Sequence, residues 1–474
     1  MNDKKLNIIF ILMDDMGYKD LTCYGSSFYE TPNLDRLARE GMMFTYAYAA
    51  CPVCSPTRAS IMSGKYPARV GVTDFIGGNN RGKLIDAPYT KELPLCEKSL
   101  ASALKEGGYT TWHIGKWHLG QSDFFPDRHG FDVNVAGCDW GMPQRGYFSP
   151  YGIPTMSDGP EGEYLTDRLT DEAIRLIKNH DYSSSPFFLN FWHYAVHTPI
   201  QAPKKLIEKY EQKAKDMGLD QINSIIEGEF LPYERMKHER IRRRVVQSDP
   251  VYAAMVENLD TNFGRLCEVL DECGIADNTA LFFTSDNGGE SSVGGSPTSN
   301  RPLAEGKGWM YEGGVREPLL VKWPGVTKPG SVCGTPVTSP DFYPTILEMA
   351  NLPPIPAQHI DGVSITNLFK GEIAPDKNRK NEAIYWHYPH YGNQGGTPGC
   401  SMRLGDYKLI EFFEDGRLEL YDLKNDISEN HNIIKENREL AERMHSMLKK
   451  WQVEVQAKFP EPNPDYKPFA VSSL

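Results

Sequence analysis

No stretch of eighteen apolar residues occurs in this chain, so no membrane-spanning helix is expected. There is no internal repeat and no low-complexity tract. The composition, 40% hydrophobic and 24% charged, indicates neither a disordered nor a fibrous chain. Positive charge is in short supply: the formal balance is −12, which argues against general nucleic-acid binding. Any site for an anionic substrate must therefore concentrate its cations locally. The nine cysteines are odd in number and irregular in spacing, so a dense disulfide framework is not expected. Lys4-Lys5 and the apolar run after them lack a small-residue cleavage site and end in Asp14-Asp15, which reads as a buried strand and not a signal peptide. On that reading the chain is cytoplasmic unless a leader has been removed.

What is present is a long chain of 474 residues with 42 glycines and 34 prolines, enough for a large core with many loops. Residues 7–13 are continuously apolar and β-branched, as in a strand buried on both faces of a parallel sheet, and they deliver Asp14 and Asp15 to the strand's carboxyl end. Thr31 caps a helix with Pro32 at its first position, stopped by Gly41. The grammar recurs: helices are expected over residues 97–105, 164–179, 251–272 and 341–350, and strands over 110–114, 187–192, 279–284 and 319–323. Residues 204–248 are highly charged and read as a solvated helical excursion. From about Asn378 short strands over 383–386, 402–412 and 418–423 precede a helix over 436–453, and 460–468 is an extended tail. The fold class is α/β: a large, mixed, mainly parallel sheet sandwiched by helices, with a smaller C-terminal antiparallel-sheet subdomain plus helix. The expected division is 1–377 and 378–474.

Chemistry-bearing groups follow four of the strands. They are Asp14-Asp15, Lys116 with His118, His197, and Asp286-Asn287, at the edge where open parallel sheets build their sites. Asp14, Asp15, Asp286 and Asn287 offer hard oxygens and no imidazole, which suits calcium, or less well magnesium, and not zinc. Lys307 lies in a glycine-rich loop, 306–318. The segment 51–65 supports three readings: a loop capping a helix, a Cys51-x-x-Cys54 redox or zinc pair, or an anion site with Cys54 at a helix N-terminus four residues before Arg58.

Cys54-Ser55-Pro56-Thr57-Arg58 with Ser63-Gly64-Lys65 resembles the Cys-x-Pro-x-Arg signature of the type I, formylglycine-dependent sulfatases of the alkaline-phosphatase superfamily. Asp14-Asp15, Gly115-Lys116-Trp117-His118, His197-Thr198-Pro199, Asp286-Asn287-Gly288-Gly289 and Gly306-Lys307-Gly308 match as well, spread from residue 14 to about 318. The resemblance implies hydrolysis of a sulfate monoester. Cys54 is oxidised to Cα-formylglycine by a maturation enzyme, and Asp14, Asp15, Asp286 and Asn287, with residue 54, hold Ca²⁺. Arg58 holds the hydrated aldehyde, Lys116 and Lys307 grip the sulfate, and Asp286 takes the attacking proton. His197 acts as acid and His118 as base, roles that are exchangeable. The family is often exported, which gives periplasm or secretion if a leader was removed.

The substrate is expected to be a sulfated carbohydrate or an aryl sulfate. Aromatic and polar groups over 137–147 and 386–391 suit a sugar ring, with Arg145, His387 and His390 joining Lys116, His197 and Lys307 as substrate-binding residues. The rivals are a phosphonate or phosphodiester hydrolase of the same superfamily, a binder of sulfated glycan in which Cys54 is unconverted, and a Cys51–Cys54 redox module.

Overall fold

The computed structural model describes residues 5–372 and 383–467. The division expected at 377–378 lies outside them, as does Pro468. Among the described residues no helix is long and apolar enough to cross a membrane.

One sheet organises the larger part. In chain order its strands are β1 (Asn7–Met13), β2 (Met42–Tyr48), β3 (Thr110–Gly115), β4 (Val133–Val135), β5 (Phe187–Trp192), β6 (Thr279–Ser285), β7 (Arg316–Lys322), β8 (Ser331–Cys333) and β9 (Val337–Thr338). They lie side by side as β8-β2-β7-β6-β1-β5-β3-β4, with β9 also paired to β2. β6, β1, β5, β3 and β4 are parallel, whereas β7 runs antiparallel to both β6 and β2. The sheet is mixed and mainly parallel, as expected.

Every residue of β1 is buried because both faces are covered. Ile9, Ile11 and Met13 point into one core with the helices Leu165–Lys178 and Pro250–Glu272, and Ile8, Phe10 and Leu12 into the other with α2 (Cys54–Ser63) and the helix Phe342–Met349. At roughly 1.5–3 kcal/mol for each large apolar side chain fully buried, this strand alone anchors the centre of the sheet.

Local details differ from expectation where a side chain outcompetes a pattern. In α1 (Pro32–Glu40) the Thr31 side chain makes no capping bond; its Oγ1 accepts the Thr22 N–H at 2.9 Å. Asp260 of the long helix caps α1 from outside, accepting the Asn33 and Leu34 N–H groups at 3.1 and 2.8 Å. The helix expected over 97–105 begins at Leu100, because Ser99 Oγ accepts the Ser102 N–H at 3.0 Å and closes it there. The stretch 204–248 is a helix, Lys204–Asp216, followed by an antiparallel hairpin, Ile225–Phe230 with Arg240–Arg244. Its arginines are not simply solvated: Arg243 pairs with Glu229 and Glu305, each at 2.8 Å.

The C-terminal part is a four-stranded antiparallel meander, β10 (Ala383–Tyr388), β11 (Gly399–Leu404), β12 (Tyr407–Phe412) and β13 (Leu418–Asp422). The run over 402–412 breaks into two strands at Gly405, which has φ 59°. The helix Arg438–Glu454 lays Ala441, Met444, Leu448 and Trp451 on this sheet. Glu461–Pro462, in the expected extended tail, pairs with Leu84–Ile85. Two buried contacts dock the meander on the large sheet: Trp386 Nε1 donates to the Ala49 carbonyl at 2.8 Å, and Lys408 Nζ meets Glu312 at 3.0 Å.

Candidate active site

Three strand ends supply the floor of the site. β1 hands over to Asp14 and Asp15, β6 to Asp286 and Asn287, and β3 to Lys116 and His118, all at the carboxyl edge of the sheet. Asp15 and His118 hold positive φ, 62° and 55°, a conformation uncommon for residues with a Cβ and concentrated at functional sites. Gly115 has φ 102°, and a Cβ there would lie 1.9 Å from the Trp192 carbonyl oxygen. That carbonyl accepts the Lys116 N–H at 2.7 Å, so glycine is required for β3 to release Lys116 at this point.

The fourth contribution is α2. Cys54 is its first residue, Val53 before it is extended, and Gly64 with φ 68° ends it. Pro56 falls in the first turn, where a missing N–H costs no intrahelical bond. All of α2 is buried, so it is fixed on every side. Cys51 and Cys54 are both free thiols, and Cys51 packs in an apolar cluster with Tyr388 and Phe412. One turn after Cys54, Arg58 aims its guanidinium at Asp286, with Nε and Nη2 2.8 and 2.7 Å from Oδ2, while Nη1 donates to the Lys116 carbonyl at 2.9 Å.

Opposite charges interleave around this point. Lys116 Nζ lies 2.9 and 2.7 Å from the two Asp14 oxygens. Lys307 Nζ lies 2.7 Å from Asp15 Oδ2 and 2.9 Å from His197 Nε2. Asn287 Nδ2 donates to Asp15 Oδ1 at 2.8 Å, and the Asp15 N–H to Asp286 Oδ1 at 3.2 Å. Three carboxylates and three cations thus compensate one another in a buried cluster. Burial pushes the Asp14 carboxyl up, against the pull of Lys116. Burial acts on Asp15 in the same sense, but the charges of Lys307 and then Lys116 outweigh it and hold that carboxyl well below the usual range.

The two histidines present opposite ring nitrogens. His118 Nε2–H donates to the Ile76 carbonyl at 2.9 Å, which leaves Nδ1 as an acceptor 3.3 Å from Cys54 Sγ. His197 Nδ1–H donates to the Thr198 carbonyl at 2.8 Å, which leaves Nε2 to accept from Lys307. Burial, then Lys116 for His118 and Lys307 for His197, lowers each pKa to about 3, so both rings are neutral.

Donor atoms of Asp14, Cys54 and Asp286 lie within 4.8 Å of one another, and so do those of Asp14, Asp15 and His197. Asn287 Oδ1 is buried with no hydrogen-bond partner. An unpaired amide oxygen among carboxylates is a hard-oxygen set that fits Ca²⁺ or Mg²⁺.

Above the floor opens a cleft of about 600 Å³ over Cys54, His118, His197 and Lys307. Its walls carry Trp140, Gln144, Tyr233, Arg235, Glu290 and Asn393. Arg145, His387 and His390 are not brought to this cleft. Arg145 is exposed and its guanidinium covers Gly152. His387 is buried in β10, where it donates to the Lys458 carbonyl at 2.7 Å and packs on Phe413 and Phe459. His390 is fully buried beside Thr73, Asp74 and Asp86. Tyr233 and Arg235 went unnoticed in the sequence because they come from the hairpin region read as a solvated excursion. The only signal was an aromatic residue interrupting a charged run.

A family profile described as Sulfatase matches residues 6–352, and one described as N-sulphoglucosamine sulphohydrolase, C-terminal, matches 305–456. A protein named "Sulfatase" from Formosa agariphila is 33% identical over 95% of this chain and 89% of its own length. The N-acetylgalactosamine-6-sulfatase of Rattus norvegicus is 32% identical over 85% of this chain and 70% of its own. A crystal structure titled Ps i-CgsB in complex with k-i-k-neocarrahexaose superposes with a TM-score of 0.75 at 28% identity, covering 98% of this chain and 95% of that one. With the signature cysteine, the paired carboxylates and the flanking lysines brought to one point, the chain belongs to the sulfatase family, the type I sulfatases of the alkaline-phosphatase superfamily, and is a sulfuric ester hydrolase.

Proposed function

We propose that this enzyme removes sulfate from a carbohydrate, using residue 54 as a Cα-formylglycine installed by a maturation enzyme, and Ca²⁺ held by Asp14, Asp15, Asp286 and Asn287 with residue 54. The observation that carries this reading is the position of Cys54 over a charge-balanced floor: three carboxylates already meet three cations, and the amide oxygen of Asn287 has no partner. A divalent cation would add two positive charges there, enough to offset one sulfate monoester and one ionised nucleophile. As a hydrated aldehyde, residue 54 would supply one hydroxyl to attack sulfur and a second to release the sulfate.

The chain's own groups fit the remaining tasks. Asp286 and the Lys116 carbonyl fix Arg58, so its charge stays beside residue 54 without reorganisation. Lys116 and Lys307 flank the point where sulfate oxygens would sit. His118 offers Nδ1 to the side chain of residue 54, and the Ile76 carbonyl holds the ring in the accepting tautomer, as a base requires. His197 lines the cleft beside Lys307 and is the candidate acid: Nε2, once protonated, would give its proton to the oxygen of the leaving alcohol.

A carbohydrate is supported by the cleft walls, where Trp140 and Tyr233 stand beside the amides of Gln144, Asn393 and Gln394. It is also supported by relatives named for N-acetylgalactosamine 6-sulfate and, at 27% identity, N-acetylglucosamine 6-O-sulfate. The test is a screen of sulfated mono- and oligosaccharides against a small aryl sulfate and a phosphodiester, with calcium present, chelated and restored. Calcium-dependent release of sulfate from one saccharide class is expected; faster phosphodiester cleavage, or turnover indifferent to chelation, would overturn the reading.

A further inference from the structure

His390 lies in a polar cluster of its own, behind the cleft wall. Its ring is fully buried, edge-on to Tyr89 at 5.2 Å, and Nε2 is 2.9 Å from Thr73 Oγ1. With Nε2–H donating to that hydroxyl, Nδ1 carries the lone pair. It faces Asp86 Oδ1 at 3.4 Å and Asp74 Oδ2 at 3.9 Å. His390 Nδ1 and Asp86 Oδ1 are both buried and both without a hydrogen-bond partner. The three donor atoms lie within 4.8 Å of one another.

These separations discriminate between a proton and an ion. An imidazolium bridging two carboxylates closes to hydrogen-bond length, about 2.7–2.9 Å. The surrounding groups do close: Tyr388 OH donates to Asp74 Oδ1 at 3.1 Å and the Phe75 N–H to the same oxygen at 2.9 Å. Nδ1 and Asp86 Oδ1, 3.4 Å apart, have the spacing of about 3.3–3.6 Å that adjacent ligands take around a tetrahedral ion with bonds of about 2.0–2.2 Å, and Asp74 Oδ2, at 3.9 Å from Nδ1, stands slightly beyond it. A buried imidazole with its second nitrogen on a hydroxyl, and a carboxylate held by a tyrosine, is the arrangement that orients ligands around zinc. Asp86, 16% exposed, opens the cluster to a water as the fourth ligand.

We propose that Asp74, Asp86 and His390 bind a second divalent cation of the zinc type, separate from the hard-oxygen site at the strand ends. Its place in the fold gives it a purpose. His390 follows β10 of the C-terminal meander, whereas Thr73 and Asp74 lead directly to Ile76, whose carbonyl sets the tautomer of His118. The ion ties the small sheet to the segment that orients the base.

The test uses the folded, calcium-saturated protein, so that the strand-end site is filled, and adds Zn²⁺ or Co²⁺ alone. Wild type is expected to take up one equivalent at micromolar concentration with a rise in melting temperature, and His390→Gln and Asp86→Asn to bind about tenfold or more weakly. The Co²⁺ absorption spectrum is expected to show tetrahedral bands without thiolate charge transfer, which needs no variant to fold. Absence of uptake by wild type, unchanged binding by His390→Gln, or thiolate bands that assign the ion to a cysteine would each overturn the proposal.

Discussion

Single side chains carry the sharpest consequences. His118→Ala removes the acceptor 3.3 Å from Cys54 Sγ, so steady turnover should fall by about 10²–10⁴-fold while alcohol release in the first turnover persists; a rapid-quench burst measurement separates the two. Arg145→Ala, which alters a side chain lying over Gly152, should leave kcat/KM unchanged in the same assay. His113 gives a prediction about stability. Burial lowers its pKa from 6.5 to about 3, so it folds neutral, and its contribution is present above pH 6.5 and lost as acid protonates it in the unfolded chain. His113→Gln should be less stable than wild type at pH 7.5, and the gap should narrow by about 1.4 kcal/mol for each pH unit below 6.5, measured by urea unfolding. Much of the floor was legible at this scale because Asp14, Asp15, Lys116, Asp286 and Asn287 directly follow apolar strands. The direction of His387 was not, since all six residues of β10 are buried and nothing in the pattern says which face meets the cleft.

Elements show how context overrides pattern. The buried strands were readable from continuous apolar runs, and the long helix from its period, but the caps were not. Asp260, 227 residues from Asn33, closes the N-terminus of α1, a contact no local signal announces. Asp260→Ala should cost about 1 kcal/mol, read as a shift in the denaturation midpoint without a change in slope. The hairpin escaped reading for a related reason: charges at Arg240, Arg242 and Arg243 mask the strand, and the partners of Arg243, Glu229 across the hairpin and Glu305 far along the chain, are not visible in the local pattern. Tyr233 and Arg235 reach the cleft wall from the connection between its strands. Replacing both with alanine should raise KM for a saccharide sulfate about tenfold and leave a small aryl sulfate nearly unaffected; equal losses would place these residues in the chemistry instead.

At the scale of the whole molecule, an excess of twelve negative charges surrounds a site whose cations are buried and already paired. A polysulfated oligosaccharide must approach against this field. Its kcat/KM should therefore rise a few-fold as ionic strength increases from about 0.01 to 0.1 M, where the screening length falls from about 30 to 10 Å. A monosulfated sugar should respond far less in the same salt series. The overall architecture was legible, with its mixed sheet and small C-terminal meander, because repeated strand and helix periods survive in the sequence. The antiparallel course of β7 was not, since strand direction is set by partners and not by composition.

The floor of the cleft is made from strand ends that cannot shift without unbuilding the sheet, and its roof from residues 139–144, the hairpin connection at 233–236, and 393–394. Inheritance can treat these two parts differently. A lineage can exchange its roof, by lengthening one loop or trading one hairpin, and acquire a new sulfate ester as substrate while the apparatus that breaks the ester passes on untouched.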